Sequence, residues 1–165
     1  MQKESLKRYN ILFLCTHNSA RSVLGEALAS THLSGLFVGY SAGSSPKSAV
    51  NPFACELAQE MGYDVSKLRS KSWDEFALDS APQMDFIVTV CDNAAGEVCP
   101  VWPGRPATAH WGFPDPSATE GSDDQKRQAF KEVMSGLKKR LDLLASLPLD
   151  KLDSMTLGSI HKKLS

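Results

Sequence analysis

The sequence predicts a three-layer α/β sandwich with a four-stranded parallel sheet. Short continuous apolar runs, typical of strands buried on both faces, alternate with segments whose apolar residues recur at helical spacing. Strands that alternate with helices favour parallel pairing, right-handed connections and helices on both faces of the sheet. The 165 residues are 42% hydrophobic and 22% charged, a composition typical of one globular domain. We therefore expect a single domain over residues 1–165, with its core at about 9–147 and a helical tail at about 148–165.

The first strand and the segment after it carry a distinct pattern. Residues Asn10–Cys15 form an apolar run, as expected of a strand that is buried on both faces. A polar loop, Cys15–Arg21, follows and leads into a helix whose apolar residues are Val23, Leu24, Ala27 and Leu28. A strand therefore passes into a helix through a short polar loop.

The next segment predicts a second strand and a second helix. Leu36–Tyr40 has the composition of a strand, which the turn-rich segment Ser41–Pro46 is expected to end. Asn51 is suited to cap a helix, and Pro52 is suited to its first position. Gly62 then closes the helix.

The second half supplies the remaining strands and the longest helix. Asp85–Cys91 predicts a buried strand, Asn93–Val98 a short helical patch, and Thr108–Trp111 a fourth strand. Ser122 and Gln125 are suited to form a capping box before a long helix. The apolar residues of that helix, three or four positions apart, are Phe130, Val133, Met134, Leu137, Leu141 and Leu144.

Charge and cysteine content exclude several classes of protein. The net charge of −1 offers no cationic field for nucleic acid or for an anionic membrane surface. The apolar run Ile11–Cys15 is too short for a membrane span or a signal peptide, so we expect a cytoplasmic protein. Four cysteines are too few for a disulfide scaffold in a chain of this length. They are therefore expected to be buried, metal-bound or reactive.

The polar loop after the first strand is suited to bind an oxyanion. Ligands of open parallel sheets bind outside the carboxyl ends of the strands, where Cys15 stands five residues before Arg21-Ser22. Backbone N–H groups, the helix dipole and the Arg21 guanidinium can surround a tetrahedral anion there, and they also favour a thiolate at Cys15. An isolated cysteine would more simply be a buried apolar residue, but this spacing favours a nucleophile. We call residues 15–22 the anion loop; its predicted anion-binding members are Thr16, His17, Asn18, Ser19, Ala20, Arg21 and Ser22.

These residues resemble the phosphate-binding loop of the low-molecular-weight protein tyrosine phosphatase family. The family includes small phosphatases and one class of bacterial arsenate reductases, and the resemblance spans about residues 10–147. Its general acid is an Asp followed by Pro late in the chain, which Asp115-Pro116 matches. By this resemblance Asp115 protonates a departing oxygen, while Pro116 fixes the loop that carries it.

Two further cysteines bear on the choice between phosphatase and reductase. Reducing arsenate to arsenite requires two electrons, which two thiols provide by forming a disulfide. Cys91 ends a predicted strand at the same sheet edge as Cys15, and Cys99 follows eight residues later. The residues alone also permit two inert buried cysteines, whereas zinc binding with His110 fits poorly at this spacing.

The resemblance favours the arsenate reductase branch, whose redox pair matches Cys91 and Cys99. The phosphatase branch usually carries aromatic residues after Asp-Pro, where this chain has Ser117-Ala118-Thr119. In the implied mechanism Cys15 attacks arsenate, Cys91 attacks the Cys15 sulfur, and Cys99 resolves the resulting disulfide. The resemblance further implies no bound cofactor or metal, phosphate or sulfate as arsenate mimics, and a monomer. Alternatives are a phosphatase and a non-catalytic oxyanion or thiol redox sensor.

The chain departs from this branch in two respects. Thioredoxin-coupled members space the redox pair one residue closer, so the external thiol donor is either thioredoxin or glutathione with glutaredoxin. Some members hold potassium beside the loop through residues matching Asn18, Glu26 and Ser41, but the later ligands are not recognisable around residues 70–72. Our hypothesis is that the Lys71 ammonium takes the place of that cation. Cys55, on the second helix, is expected to be a packed thiol outside the relay.

Overall fold

The computed structural model describes residues 8–46, 49–78, 80–90 and 107–147. They contain a four-stranded, all-parallel sheet in the order β2-β1-β3-β4. The strands are β1 (Tyr9–Cys15), β2 (Phe37–Gly43), β3 (Phe86–Thr89) and β4 (Ala107–His110). The predicted fold class is therefore confirmed.

Three α-helices lie in the described parts of the chain: α1 (Arg21–Thr31), α2 (Pro52–Glu60) and α3 (Asp123–Ala145). The predicted caps are present, since Asn51 accepts a hydrogen bond from the Phe53 N–H and Ser122 forms a complete capping box with Gln125. Shorter 3-10 helices span Val65–Lys67, Trp73–Phe76 and Pro116–Ala118.

Strand β1 is buried on both faces, which explains its unbroken apolar run. Ile11 and Phe13 pack into the larger core with residues of all three helices. Leu12 and Leu14 point to the opposite face, where a smaller core contains Trp73 and other apolar residues. The strand before the anion loop is thus held from both sides, which gives the loop a rigid base.

Strand β2 is longer than its composition predicts. Ser41, Ala42 and Gly43 were expected to form a turn, but they continue the strand and pair with Phe13, Leu14 and Cys15 of β1 in that order. The prediction of the strand end was wrong because pairing with a buried neighbour outweighs the weak strand propensity of these small residues. The extension brings Ser41 and Gly43 beside the anion loop.

Several predictions fall on residues outside the described parts of the chain. They concern the redox pair Cys91 and Cys99, the helical patch at 93–98 and the tail at 148–165. Among the described helices, none is both long and apolar enough to cross a membrane.

Candidate active site

Cys15 is the last residue of β1 and stands six positions before Arg21, the first residue of α1. Its side chain is buried, with 4% of its surface exposed. It lines a small pocket whose other described residues are His17, Ser19, Ala20, Arg21, Asp115 and Ser117. The structure therefore brings the predicted nucleophile, the predicted arginine and the predicted acid together, although they are up to 100 positions apart in the sequence.

The anion loop turns its carbonyl groups outward. Three donors from neighbouring segments bind them at 2.8 Å: the Ser45 N–H binds Thr16 O, the Ser70 hydroxyl binds His17 O, and the Asn51 N–H binds Ser19 O. In a trans peptide the following N–H points the opposite way. The N–H groups of His17, Asn18 and Ala20 are consequently directed toward the inside of the loop, where an anion would lie.

Asn18 shapes the turn of the loop. It is fully buried and has a φ angle of 48°, in the left-handed region that few residues other than glycine adopt. Its side-chain amide donates to Ser22 Oγ at 2.9 Å, and its side-chain oxygen accepts the Lys71 N–H at 2.9 Å. Both contacts hold the loop in a conformation that brings consecutive N–H groups to one side.

The start of α1 is left open for a ligand. Ala20 occupies the N-cap position, no side chain among the described residues caps the helix, and its first turn contains no acidic residue. The first-turn N–H groups and the positive end of the helix dipole are suited to bind an anion. An oxyanion held by the loop would act as the missing cap.

Arg21 lines the pocket, and only part of its guanidinium group is hydrogen-bonded among the described residues. Its Nη1 donates to Phe113 O at 2.8 Å, and its Nη2 lies 3.9 Å from Asp115 Oδ2. Its Nε is buried and has no hydrogen-bond partner in the described parts of the chain. A buried donor without a partner is unfavourable, so an anion that accepted a hydrogen bond from Nε would stabilise the site.

Asp115 begins the short helix Pro116–Ala118 and faces Arg21 across the pocket. Its Oδ1 accepts the Ser117 N–H at 2.9 Å and the Ser117 hydroxyl at 2.7 Å. The side chain is 41% exposed, so water can reach the carboxylate. Pro116, the next residue, is buried.

A buried polar network lies on the other side of the anion loop. Glu26 accepts the Ser41 hydroxyl on Oε1 and the Tyr63 hydroxyl on Oε2, both at 2.5 Å. The Lys71 ammonium lies 3.9 Å from Glu26 Oε1 and donates to Arg69 O at 2.9 Å. Burial lowers the pKa of Lys71, and the Glu26 carboxylate opposes that change. Burial and the hydrogen bond to Glu26 raise the pKa of Tyr63, which therefore stays a neutral donor.

This network contains the residues considered for a potassium site. Glu26 and Ser41 are in direct contact, Asn18 binds the backbone of Lys71, and the Lys71 ammonium supplies a positive charge beside Glu26. Within the described ranges, no group of three or more His, Cys, Asp or Glu side chains could hold a metal ion.

Other candidate residues lie apart from the pocket or at its rim. His17 is exposed, and its Nδ1 lies 3.1 Å from Ser45 O. Cys55 is a free thiol on α2, and burial raises its pKa. His110 lies 2.7 Å from the Thr89 hydroxyl.

Sequence reasoning missed four residues that support the site. Ser117 binds Asp115, the Phe113 carbonyl binds Arg21, the Tyr63 hydroxyl binds Glu26, and Ser70 binds the anion loop. Only Ser117 carried a local signal, because Asp-x-Ser commonly forms a hydrogen-bonded turn. The other contacts join distant segments and leave no pattern in the sequence.

Comparison with known proteins identifies the family. The family model for low molecular weight phosphotyrosine protein phosphatase matches residues 10–154. An arsenate reductase of Halalkalibacterium halodurans is 38% identical over 135 residues, which cover 82% of this chain and 94% of that protein.

Solved structures agree with this assignment. The arsenate reductase from Archaeoglobus fulgidus has a TM-score of 0.59 and 30% identity, over 80% of this chain and 98% of that chain. A thioredoxin-dependent arsenate reductase of Corynebacterium glutamicum shares the fold, with a TM-score of 0.58 and 23% identity over 84% of this chain and 62% of that chain. The chain therefore belongs to the low molecular weight phosphotyrosine protein phosphatase family.

Proposed function

We propose that this protein is an arsenate reductase that uses Cys15 as its nucleophile. The observation that carries the proposal is the convergence of Cys15, Arg21 and Asp115 on one pocket beneath an uncapped helix start. The identity of 38% to a protein named arsenate reductase supports reduction rather than phosphate ester hydrolysis. The absence of an aromatic side chain at residues 117–119, after Asp115-Pro116, supports the same choice.

In the first step the Cys15 thiolate attacks arsenic. Arsenate binds the inward N–H groups of the anion loop and the unpaired Arg21 Nε, which also stabilise the charge that develops on its oxygens. A sulfur–arsenic bond forms as an arsenic–oxygen bond breaks. Asp115 donates a proton to the departing oxygen, which leaves as water.

In the second step two thiols reduce the arsenic. Cys91 attacks the Cys15 sulfur, the sulfur–arsenic bond breaks, and its electron pair stays on arsenic, so arsenate becomes arsenite while two thiols become a disulfide. Cys99 then attacks Cys91, which releases the Cys15 thiolate and forms a Cys91–Cys99 disulfide. The contact of Val90 N–H with Leu14 O at 2.9 Å supports this relay, because the residues preceding Cys91 and Cys15 are hydrogen-bonded.

The cycle needs an external thiol reductant. Thioredoxin, or glutathione with glutaredoxin, would reduce the Cys91–Cys99 disulfide and restore the enzyme. A reducing compartment suits such a cycle, so we place the protein in the cytoplasm as a single-domain monomer that needs no bound cofactor.

We also propose that Lys71 replaces the potassium ion used by some relatives of the reductase branch. The 3.9 Å separation from Glu26 and the burial of both side chains support this role. Because the ammonium already neutralises Glu26, added potassium should have no site to occupy.

The test of the function is arsenite formation from arsenate with each thiol donor supplied separately. The proposal expects turnover with one donor and loss of turnover in the Cys15→Ser, Cys91→Ser and Cys99→Ser variants. Cys55→Ser is the matched control, because that thiol lies outside the pocket, and it should keep full activity. Hydrolysis of an aryl phosphate that is indifferent to Cys91 and Cys99, without arsenite formation, would instead identify a phosphatase.

A further inference from the structure

The Arg21 side chain is held in the pocket by a residue from a distant segment. Its Nη1 donates to the carbonyl oxygen of Phe113 at 2.8 Å, across 92 positions of the sequence. Phe113 is not among the described residues that line the pocket of Cys15. The direction of the Arg21 guanidinium therefore depends on where a carbonyl outside that pocket is placed.

The backbone of Phe113 is restrained on both sides of its Cα atom. Its N–H donates to Val90 O at 3.1 Å, directly after strand β3. The next residue is Pro114, and a proline ring disfavours the helical region for the residue before it, which leaves the extended region. This restriction acts on the ψ angle of Phe113, which sets the direction of its carbonyl group.

Helix α3 restrains the ring of Phe113. A Cβ atom on Gly136 would lie 2.6 Å from Cε1 of the ring, so only glycine leaves room for the ring at this point of the helix. The Arg140 guanidinium carbon lies 5.0 Å from the ring centroid, within the range of a cation–π interaction. Glycine inside a helix is less favourable than alanine, so this close approach has an intrinsic cost. We call Gly136 and Arg140 the ring clamp.

These restraints together fix the Phe113 carbonyl. When the nitrogen and the side chain of an L-residue are both held, the geometry at Cα leaves one direction for the carbonyl carbon. Pro114 narrows the remaining rotation about ψ. The acceptor for Arg21 Nη1 is therefore placed by contacts with β3 and α3, before any anion enters the pocket.

We propose that Phe113 is a positioning residue: the ring clamp holds its carbonyl, and the carbonyl orients Arg21 for the anion. This inference deepens the proposed function and rests on the role of Arg21 in binding the anion. An arginine that is free in solution loses much side-chain entropy when a ligand immobilises it. Because Phe113 orders Arg21 in advance, the anion does not have to supply that cost. The affinity for the anion thus depends on residues of α3.

Helix α3 carries a second stack of the same kind, which provides a control. The Arg127 guanidinium carbon lies 5.4 Å from the ring centroid of Phe53, and Arg127 also pairs with Glu56 at 2.7 Å. The described lining of the Cys15 pocket includes neither Arg127 nor Phe53. Arg127→Met therefore removes one positive charge and one stacked guanidinium from the same helix without acting on Phe113.

The experiment measures the binding of inorganic phosphate to the folded protein by calorimetric titration, below the melting temperature of each variant. Phe113→Leu, Arg140→Met and Gly136→Ala should each weaken phosphate binding by about two- to tenfold, because the anion must then order Arg21. Arg127→Met should bind phosphate as tightly as the wild-type protein, even if it melts at a lower temperature. Gly136→Ala changes no charge, so its loss of affinity has no electrostatic explanation.

A double variant tests whether the effect passes through the ring. In the Phe113→Leu background, Arg140→Met should weaken phosphate binding no further, because the ring on which Arg140 acts is absent. If Arg140 attracted the anion only by its charge, the two losses would add. The proposal is overturned if they add, if Gly136→Ala binds phosphate like the wild-type protein, or if Arg127→Met loses as much affinity as Arg140→Met.

Arsenate kinetics give a second measurement. The cost of ordering Arg21 is met when arsenate binds, so KM for arsenate should rise by the same factor as the phosphate dissociation constant. The kcat value should stay within about twofold. A fall in kcat without a rise in KM would overturn the positioning role.

The phosphate titration separates this inference from the proposed function, because it involves no turnover. A protein that forms no arsenite but shows the expected pattern of phosphate affinities would refute the reductase and keep the role of Phe113. Arsenite formation without that pattern would keep the reductase and overturn the role of Phe113. Absence of phosphate binding by the wild-type protein would overturn the inference as well.

Discussion

Two sets of side chains meet at the anion loop and differ in their surroundings. The reaction side, which faces the pocket, consists of Arg21, Asp115 and Ser117. The support side, whose residues do not line the pocket, consists of Asn18, Glu26, Ser41 and Lys71. Every support-side residue is at most 7% exposed, whereas the Asp115 side chain is 41% exposed. The proton transfer proposed for Asp115 and the geometry of the loop therefore depend on separate groups of residues, and substitutions should affect them separately.

The largest effect should come from the buried pair on the support side. Glu26→Gln leaves the Lys71 ammonium buried without its counter-charge, which should cost about 3 kcal/mol in the free energy of unfolding. The double variant Glu26→Gln with Lys71→Met removes both charges and should recover much of this loss. Urea unfolding measures both values.

The exposed pair Arg69–Glu75 provides the control for the Glu26 and Lys71 variants. Its side chains are 60% and 43% exposed, so Glu75→Gln should cost less than about 1 kcal/mol. Equal losses of unfolding free energy in Glu26→Gln and Glu75→Gln would show that the buried pair contributes no more to stability than the exposed pair.

On the reaction side, Asp115→Asn should reduce activity with little change in stability. The amide cannot donate an acidic proton, so kcat should fall by about 10²-fold or more. The melting temperature should stay close to that of Asp64→Asn, which alters the same kind of Asp-x-Ser turn away from the pocket. A variant that keeps full kcat would remove Asp115 from the mechanism.

A smaller effect should come from the left-handed residue of the loop. Asn18→Gly keeps the φ angle accessible but loses the side-chain contacts to Ser22 and Lys71. Asn18→Ala loses the same contacts and adds backbone strain, so it should be about 1–2 kcal/mol less stable than Asn18→Gly. Equal stability of the two variants in chemical denaturation would mean that the φ angle contributes no strain.

The smallest expected change is the response of the wild-type protein to potassium. Since the Lys71 ammonium is already beside Glu26, the melting temperature in potassium should equal that in sodium at the same ionic strength. A potassium-specific rise in the melting temperature would contradict the role proposed for Lys71.

The fold was largely predictable because its signals are local. The apolar run Asn10–Cys15, the Asn51-Pro52 helix start and the Ser122–Gln125 capping box each act within a few residues. The end of β2 was not predictable, because Ser41–Gly43 become strand only through pairing with β1. Strand pairing depends on distant neighbours, which local propensity does not report.

The residues of the candidate site also fall into those with a local sequence signal and those that depend on distant contacts. Cys15 and Arg21 lie within one loop, so their place in one pocket follows from a local pattern. The hydroxyl of Tyr63 and the carbonyl of Phe113 reach the site from other segments, through contacts that only the folded chain creates. Ser117 lies between these cases. Its turn with Asp115 is local, but the fold alone places that turn opposite Arg21 in the pocket.

The proposed reaction is an internal two-electron reduction that begins at Cys15. It is tested most directly by counting thiols on the fully reduced protein, freed of reductant, before and after one exposure to arsenate. Arsenite is removed and the chain is denatured before the count. We expect a loss of about two thiols per chain, because one disulfide forms, and no loss in Cys15→Ser. An unchanged thiol count in the wild-type protein would contradict the relay.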